Sequence, residues 1–177
     1  MSDAEGYNKV LNFWFSEENT PKHFNGDSAF DELIKHEFTD LYKSAINGEL
    51  ESWKNYGIDG YLAFIILIDQ FSRNMFRGSG SAFENDNLAL NAAKDCVEKG
   101  LHVGLSPQRY LYVCLPFMHS ENIKDQEKSC ELLETHFASK WAVSHKNEIE
   151  KFGRFPGRNA ALNRESTSEE IEFLTKK

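Results

Sequence analysis

Two stretches of this chain place arginine among bulky apolar residues, and they hold the side chains best suited to chemistry. The first reads D-Q-F-S-R-N-M-F-R-G over residues 69–78, and the second reads F-G-R-F-P-G-R-N over residues 152–159. Burying a guanidinium group is costly unless an acid or a ligand pairs with it. Two interpretations are therefore open: the arginines hold the fold together through internal ion pairs, or they line a pocket that binds an anion.

Asp69 and Arg73 form the first candidate pair. Asp69 follows seven apolar residues, 62–68, so we expect its carboxylate to be at least partly buried. On a helix Arg73 lies one turn later on the same face, which predicts a contact between the two side chains. A structural ion pair is the more common use of this spacing. The functional alternative is a carboxylate that orients Arg73 towards a ligand, or one whose shifted pKa makes it a base.

A third polar cluster, P-F-M-H-S-E, occupies residues 116–121. Proline ends or kinks a helix, so His119 and Glu121 are predicted to lie at an elbow before the next helix. An imidazole beside a carboxylate in such a place suits general acid–base catalysis. Helix capping by Ser120 or Asn122 is the simpler explanation of the same cluster.

The second arginine stretch is predicted to be a loop. Gly153 ends a helix and Pro156-Gly157 forces a turn, so Arg154 and Arg158 project from irregular backbone, where binding residues are common. Alternatively, these arginines pin the loop by bonding helix-end carbonyls and surface acids. If they converge with the arginines of the first stretch, four guanidinium groups would suit recognition of phosphate or carboxylate.

The composition argues against several classes of function. The chain has 28 acidic and 20 basic residues, a net charge of -8, which opposes bulk binding of nucleic acid. Its three cysteines form no C-x-x-C pair, and neither a phosphate-binding glycine loop nor a G-x-S-x-G elbow occurs. His145 and Glu148 have the spacing of two metal ligands, but the Glu-x-x-His order of a bundle di-metal site is missing. We therefore predict no metal and no cofactor.

Length and hydropathy predict one compact unit. A chain of 177 residues is typical of a single domain, here residues 1–177. The first eight residues lack the basic and apolar regions of a secretory signal. The longest apolar run, Tyr61 to Ile68, is far shorter than the roughly 20 residues of a membrane-spanning helix. We expect a cytoplasmic protein that does not bind membranes.

The hydrophobic periodicity favours an all-α fold. Apolar residues recur in steps of three and four, and helix start and stop signals flank them. The first predicted helix begins at Asp27 and ends at Gly48, and the second runs from about Phe83 to Gly100. The third begins at Ser106-Pro107, the fourth runs from Asn122 to Trp141, and the last begins at Ser166 or Thr167. Two short apolar runs, 62–68 and 110–115, would also fit buried parallel strands.

The same motifs resemble an uncharacterised, mainly bacterial domain-of-unknown-function family with a tetratricopeptide-like, all-helical fold. The motifs are V-L-x-F-W-F at 10–15, D-Q-F-S-R-N-M-F-R-G at 69–78, A-F-E-N-D at 82–86, L-P-F-M-H-S-E at 115–121, D-Q-E at 125–127 and R-F-P-G-R-N-A at 154–160. The resemblance implies an antiparallel array of about eight to nine helices. It does not imply an activity, because the family has none assigned. Where the family usually has proline, histidine and glycine, this chain has Ser72, Gly157 and Asn163.

The leading hypothesis is a pocket for a small anionic molecule, with hydrolysis or elimination as the reaction class. The predicted catalytic residues are His119, Glu121 and Asp69. The predicted ligand-binding residues are Arg73, Asn74, Arg77, Arg154, Arg158 and Asn159. The alternative is a tetratricopeptide-like interaction module that binds a protein or captures the carboxylate of a peptide. A third possibility is that the motifs only hold the fold together.

Overall fold

The computed structural model describes residues 2–176, and all regular structure in that range is helical. The α-helices in this range are α1 (Asp3–Trp14), α2 (Ser28–Ile46), α3 (Gly57–Ile65), α4 (Phe71–Met75), α5 (Asp86–Glu98), α6 (Pro107–His119), α7 (Ile123–Leu132), α8 (Ser139–Phe152) and α9 (Ser168–Lys176). Short 3-10 helices span Thr20–Lys22, Glu51–Tyr56, Gly80–Ala82 and Pro156–Arg158. The all-α prediction is confirmed, and the strand alternative for 62–68 and 110–115 is wrong.

Local capping explains several of these boundaries. The Asp27 carboxylate accepts hydrogen bonds from the first backbone N–H groups of α2, and Ser106 accepts one at the start of α6. At the end of α8, Gly153 adopts a left-handed conformation with φ of 69°. These three signals were read correctly from the sequence because each depends only on neighbouring residues.

The prediction of one helix from Asn122 to Trp141 is wrong. Asn122 does cap a helix, but α7 stops at Leu132 and α8 begins only at Ser139. In the connection the chain turns so that Leu133 and Ala138 enter the core. A continuous helix would have placed Trp141 on the buried side, whereas its indole is half exposed.

One buried helical segment runs through the centre of the molecule. Every residue of Tyr61–Ile68 is at most 1% exposed, because α1, α2, α5 and α6 pack around α3 and the turn that follows it. That turn, Ile66–Gln70, is π-helical: the Phe71 N–H bonds the Ile66 carbonyl five residues back. π-turns inside helices occur often at functional sites. Here the π-turn carries Asp69.

Among residues 2–176 no helix has the length and apolarity needed to cross a membrane.

A buried histidine near the chain start makes stability depend on pH. His23 Nε2 lies 2.9 Å from the Trp14 carbonyl and Nδ1 lies 2.6 Å from the Tyr112 hydroxyl. Burial lowers the pKa of His23 to about 4, although the Trp14 bond opposes this. As pH falls below 6.5, the unfolded chain takes up this proton before the folded protein does. Stability should therefore drop by about 2 kcal/mol between pH 7 and pH 4.

Urea unfolding at several pH values, compared with His23→Gln, tests this. The variant is expected to be less stable at pH 7 and to show a flatter profile between pH 6.5 and 4. An unchanged slope in the variant would assign the pH dependence to other groups.

Candidate functional site

The centre of the candidate site is a hydrogen-bonded Asp–His pair. Asp69, on the π-turn, has a side chain that is 1% exposed, and His119 is the last residue of α6. The Asp69 Oδ1 lies 2.7 Å from His119 Nδ1, and Oδ2 accepts a hydrogen bond of 2.5 Å from the Gln70 amide. Two residues separated by 50 positions in the chain thus form one buried polar unit.

Arg73 joins this pair to a second carboxylate. Its Nη1 is 3.1 Å from Asp69 Oδ1, which confirms the contact predicted from the four-residue spacing. The same guanidinium makes two parallel hydrogen bonds of 2.9 Å to Asp86, the first residue of α5. Bidentate pairs of this kind are strong and directional. Arg73 therefore pairs with two internal carboxylates, and its Nη1 also donates to the Asp69 backbone carbonyl at 2.6 Å.

The electrostatics set the proton positions in the Asp–His pair. Burial alone would raise the pKa of Asp69, but Arg73, His119 and the Gln70 amide outweigh it and hold that pKa well below its usual range. Burial, reinforced by Arg73, lowers the pKa of His119, and the Asp69 carboxylate opposes this only in part. At neutral pH Asp69 is ionised and His119 is neutral.

The neutral imidazole has one nitrogen left for chemistry. Because Asp69 can only accept, His119 Nδ1 carries the proton and donates it, which leaves a lone pair on Nε2. Within the described part of the chain, Nε2 makes no hydrogen bond. An imidazole oriented by a buried carboxylate is the arrangement that general bases use.

Arg158 approaches the same pair from the second arginine stretch. It lies in the 3-10 helix Pro156–Arg158, and its Nη2 donates to the His119 carbonyl at 2.9 Å. The guanidinium carbon sits 4.5 Å from the centre of the Phe83 ring and 4.6 Å from that of Phe155. Aromatic faces stabilise a cation at these distances. Within the second stretch, this packing accounts for the pairing of Arg158 with Phe155.

The charge of Arg158 is less well compensated than that of Arg73. Its nearest carboxylate contact is Asp86 at 3.5 Å, and Asp86 already binds Arg73. Burial lowers the pKa of Arg158, Arg73 lowers it further, and nearby carboxylates including Asp86 oppose the shift. Arg158 is therefore the guanidinium with the weaker carboxylate pairing, in a cavity whose lining also includes Glu84, Asp86 and Glu121.

A cavity of about 250 Å³ lies against these groups. It is lined by Phe83, Glu84, Asp86, Asn87, Leu90, Pro116, His119, Ser120, Glu121, Arg158 and Leu162. Three predicted site residues, His119, Glu121 and Arg158, thus border one space, and two more, Asp69 and Arg73, lie directly behind it. The cavity contains both a candidate base and a candidate anion-binding group.

Glu121 borders the cavity, but both its oxygens are occupied. It makes a bidentate pair with Arg164 at 2.8 and 3.0 Å and accepts the Phe155 N–H at 2.8 Å. Burial raises the pKa of Glu121, but Arg164 and that N–H outweigh it and leave the pKa lowered. Glu121 therefore serves here to hold the loop that carries Arg158, as an ionised acceptor.

The other predicted ligand-binding residues lie elsewhere. Arg77 and Asn74 both bind Asp31 of α2, through hydrogen bonds of 2.6–2.9 Å. Arg154 and Asn159 both bind Glu170 of α9, and Arg154 also bonds the Glu165 carbonyl. Neither group borders the cavity. Of the four arginines, Arg158 borders the cavity, Arg73 pairs with Asp69 and Asp86 behind it, and Arg77 and Arg154 pair with acids elsewhere.

Sequence reasoning missed three contributors to the site. Asp86, Phe83 and Arg164 were not among the candidate residues, although Phe83 and Asp86 belong to the A-F-E-N-D motif. An acid three residues after an aromatic ring, at the start of a helix, was a signal that could have been used. Within residues 2–176 no group of three or more His, Cys, Asp or Glu side chains is placed to hold a metal ion.

Fold and site together define an all-helical protein with a buried Asp–His pair beside an arginine-bearing cavity. The chain belongs to the family described as bacterial protein of unknown function (DUF924), whose sequence model matches residues 10–177. It is similar to a solved protein of unknown function from Agrobacterium tumefaciens, ATU0120, with 33% identity, a TM-score of 0.94, and 99% of this chain and 100% of that chain covered. A comparison with curated proteins gave no match. The family resemblance is confirmed.

Proposed function

We propose that the cavity binds a small anionic molecule and that His119, held by Asp69, acts on it as a general base. The observation that carries this proposal is the unbonded Nε2 of a neutral imidazole whose Nδ1 is fixed by a buried, ionised carboxylate. Both ring nitrogens of the structural histidine His23 have partners, whereas Nε2 of His119 has none among the described residues. Arg158 lies beside it, bonded to the His119 backbone.

The unequal pairing of the two guanidinium groups supports an anion as the ligand. Arg73 lies between two carboxylates, whereas Arg158 shares Asp86 with it at a longer distance. A phosphate or carboxylate oxygen next to Arg158 would supply the negative charge that this guanidinium lacks. Planar, forked donors bind such groups with strong and specific geometry.

The geometry also suggests how a reaction would proceed. His119 Nε2 would take a proton from a bound water, or from a carbon or oxygen of the ligand. The imidazolium formed would be stabilised by Asp69, and negative charge developing on the ligand would be stabilised by Arg158. In hydrolysis the deprotonated water would add to the ligand, and the imidazolium would return its proton to the departing group. In elimination the proton would leave a carbon, and the group on the neighbouring carbon would depart with its bonding electrons and take the proton from the imidazolium. Positioned proton transfer of this kind typically contributes about 10²–10⁴ in rate.

Cavity size limits the ligand. At about 250 Å³, the space is just below the usual range of roughly 300–1,000 Å³ for ligand pockets. We therefore propose that this cavity binds the anionic group of a small metabolite.

Arg158→Ala tests the binding step. Calorimetric titration with inorganic phosphate, malonate and propionate is expected to show binding of at least one of these anions to the wild type. Loss of charge-assisted hydrogen bonds worth about 1.5–3 kcal/mol should weaken that binding by roughly 10- to 150-fold in the variant. Arg158→Lys keeps the charge without the fork and should bind with intermediate affinity.

Arg77→Ala is the matched control, because Arg77 is also paired with an aspartate but does not border the cavity. It should leave anion affinity unchanged. Urea unfolding of each variant separates a loss of binding from a loss of fold. Equal weakening by Arg77→Ala and Arg158→Ala, or no binding of any anion by the wild type, would refute the proposed function.

A further inference from the structure

A second cavity shares one lining residue, His119, with the first. It has a volume of about 310 Å³ and is lined by Phe24, Leu115, Met118, His119, Trp141 and His145. We call it the aromatic cleft. Its walls come from the C-terminal half of α6, from α8 and from the loop before α2. Unlike the cavity at Arg158, the cleft is lined mainly by apolar side chains.

The aromatic cleft keeps two large rings exposed. Phe24 is 66% exposed and Trp141 is 51% exposed, although the core of the molecule is rich in buried aromatics. Phe24 has a φ of 65°, a left-handed conformation that is a genuine outlier for a bulky residue. Its ring is held over Tyr112, with the two planes inclined by only 8°. A strained backbone that presents an apolar ring to solvent gains little for folding, and such outliers cluster at functional sites.

We infer that the ligand of this protein is amphipathic: its anionic group lies at Arg158, and an aromatic or branched aliphatic group lies in the aromatic cleft between Phe24 and Trp141. The inference rests on the proposed function, which it extends to a substrate class. His119 lines both spaces, so the anionic and the apolar part of such a ligand would lie on either side of this residue. The bond to be broken would lie between the anionic and the apolar part of the ligand.

The protein carries its own reporter for the cleft. Of its three tryptophans, Trp14 and Trp53 are 1% exposed and only Trp141 is open to solvent. Binding of an apolar group beside Trp141 should change its fluorescence and protect it from quenching by acrylamide. The probes are propionate and 3-phenylpropionate, which share a carboxylate and differ by one phenyl ring.

The wild type is expected to bind 3-phenylpropionate at least tenfold more tightly than propionate, the gain typical of removing one ring from water. Phe24→Gly should abolish most of this difference and leave propionate affinity unchanged. Glycine accepts the left-handed backbone, and urea unfolding of the variant measures what the lost contact with Tyr112 costs. Tyr56→Ala, which removes a half-exposed ring outside the cleft, should keep the tenfold difference.

Two results would overturn the inference, and they have different meanings. Equal binding of both probes by the wild type would show that the cleft is not used, while the proposed anion site would stand. If 3-phenylpropionate binds equally well to the wild type and to Arg158→Ala, and propionate does not bind at all, the apolar ring alone carries the affinity. In that case both the amphipathic ligand and the proposed function would be wrong.

Discussion

Replacing Asp69 with alanine is expected to lower the free energy of unfolding by about 3–5 kcal/mol. The carboxylate is 1% exposed and serves three partners at once: His119, Arg73 and the Gln70 amide. Removing it leaves the Gln70 amide and the His119 N–H without their acceptor in the interior. Arg73 keeps its bidentate bond to Asp86, so the variant should still fold, with a much lower melting temperature.

Asp69→Asn separates charge from shape. The amide fits the same space and keeps an acceptor for His119, so stability should fall by less than in Asp69→Ala. The negative charge that raises the pKa of His119 is lost, and this pKa should therefore fall further, which NMR titration of the imidazole measures. Asp59→Ala, in a half-exposed pair with Arg109, is the control and should cost about 1 kcal/mol or less. A similar cost for Asp69→Ala would mean that the buried cluster contributes little to stability.

Features set by neighbouring residues were predictable from the sequence. The cap at Asp27, the stop at Gly153 and the Asp69–Arg73 contact each involve residues at most four positions apart. At such distances helix geometry alone decides which side chains meet. The elbow after α6 was predicted for a similar reason, although α6 continues past Pro116 to His119.

Partners from distant parts of the chain were not predictable. Arg73 pairs with Asp86, 13 residues away, and Arg77 with Asp31, 46 residues away. Several acids in this chain offer equally plausible partners, and only the packing of helices selects among them. The π-turn was also invisible, because its residues read as an ordinary apolar helix. For these reasons the sequence identified useful residues but could not show which of them share a cavity.

The division between Arg73 and Arg77 has a simple structural cause. On a continuous helix the two would share a face, since they are four residues apart. The helix α4 ends at Met75, and Phe76 has a φ of −120°, so the chain turns before Arg77 is reached. Arg73 therefore pairs with Asp86, which borders the cavity, while Arg77 turns back to Asp31 of α2. The end of α4 at Met75 thus determines that Arg73, and not Arg77, pairs with the carboxylates beside the cavity.

Gly60→Ala is expected to reduce stability by about 3 kcal/mol or more, although it adds only one methyl group. A Cβ at Gly60 would lie 1.8 Å from the Trp53 carbonyl oxygen and 2.7 Å from its carbon. Both are backbone atoms of the 3-10 helix Glu51–Tyr56, so no side-chain rotation relieves the clash. Either this helix or α3 has to move. Thermal and urea unfolding measure the loss.

Gly157→Ala is the control, because an added Cβ there meets nothing within 4 Å. The stability of this variant should differ from that of the wild type by about 0.5 kcal/mol or less. Equal melting temperatures for the two variants would show that the close approach at Gly60 does not constrain the fold. If Gly60→Ala folds with α3 displaced, the displacement extends along the continuous helix to Asp69 and lengthens its bond to His119. The NMR signal of His119 should then shift in Gly60→Ala and stay in place in Gly157→Ala. Such a result would mean that the tight backbone packing at Gly60 positions the Asp69 carboxylate, nine residues further along the chain.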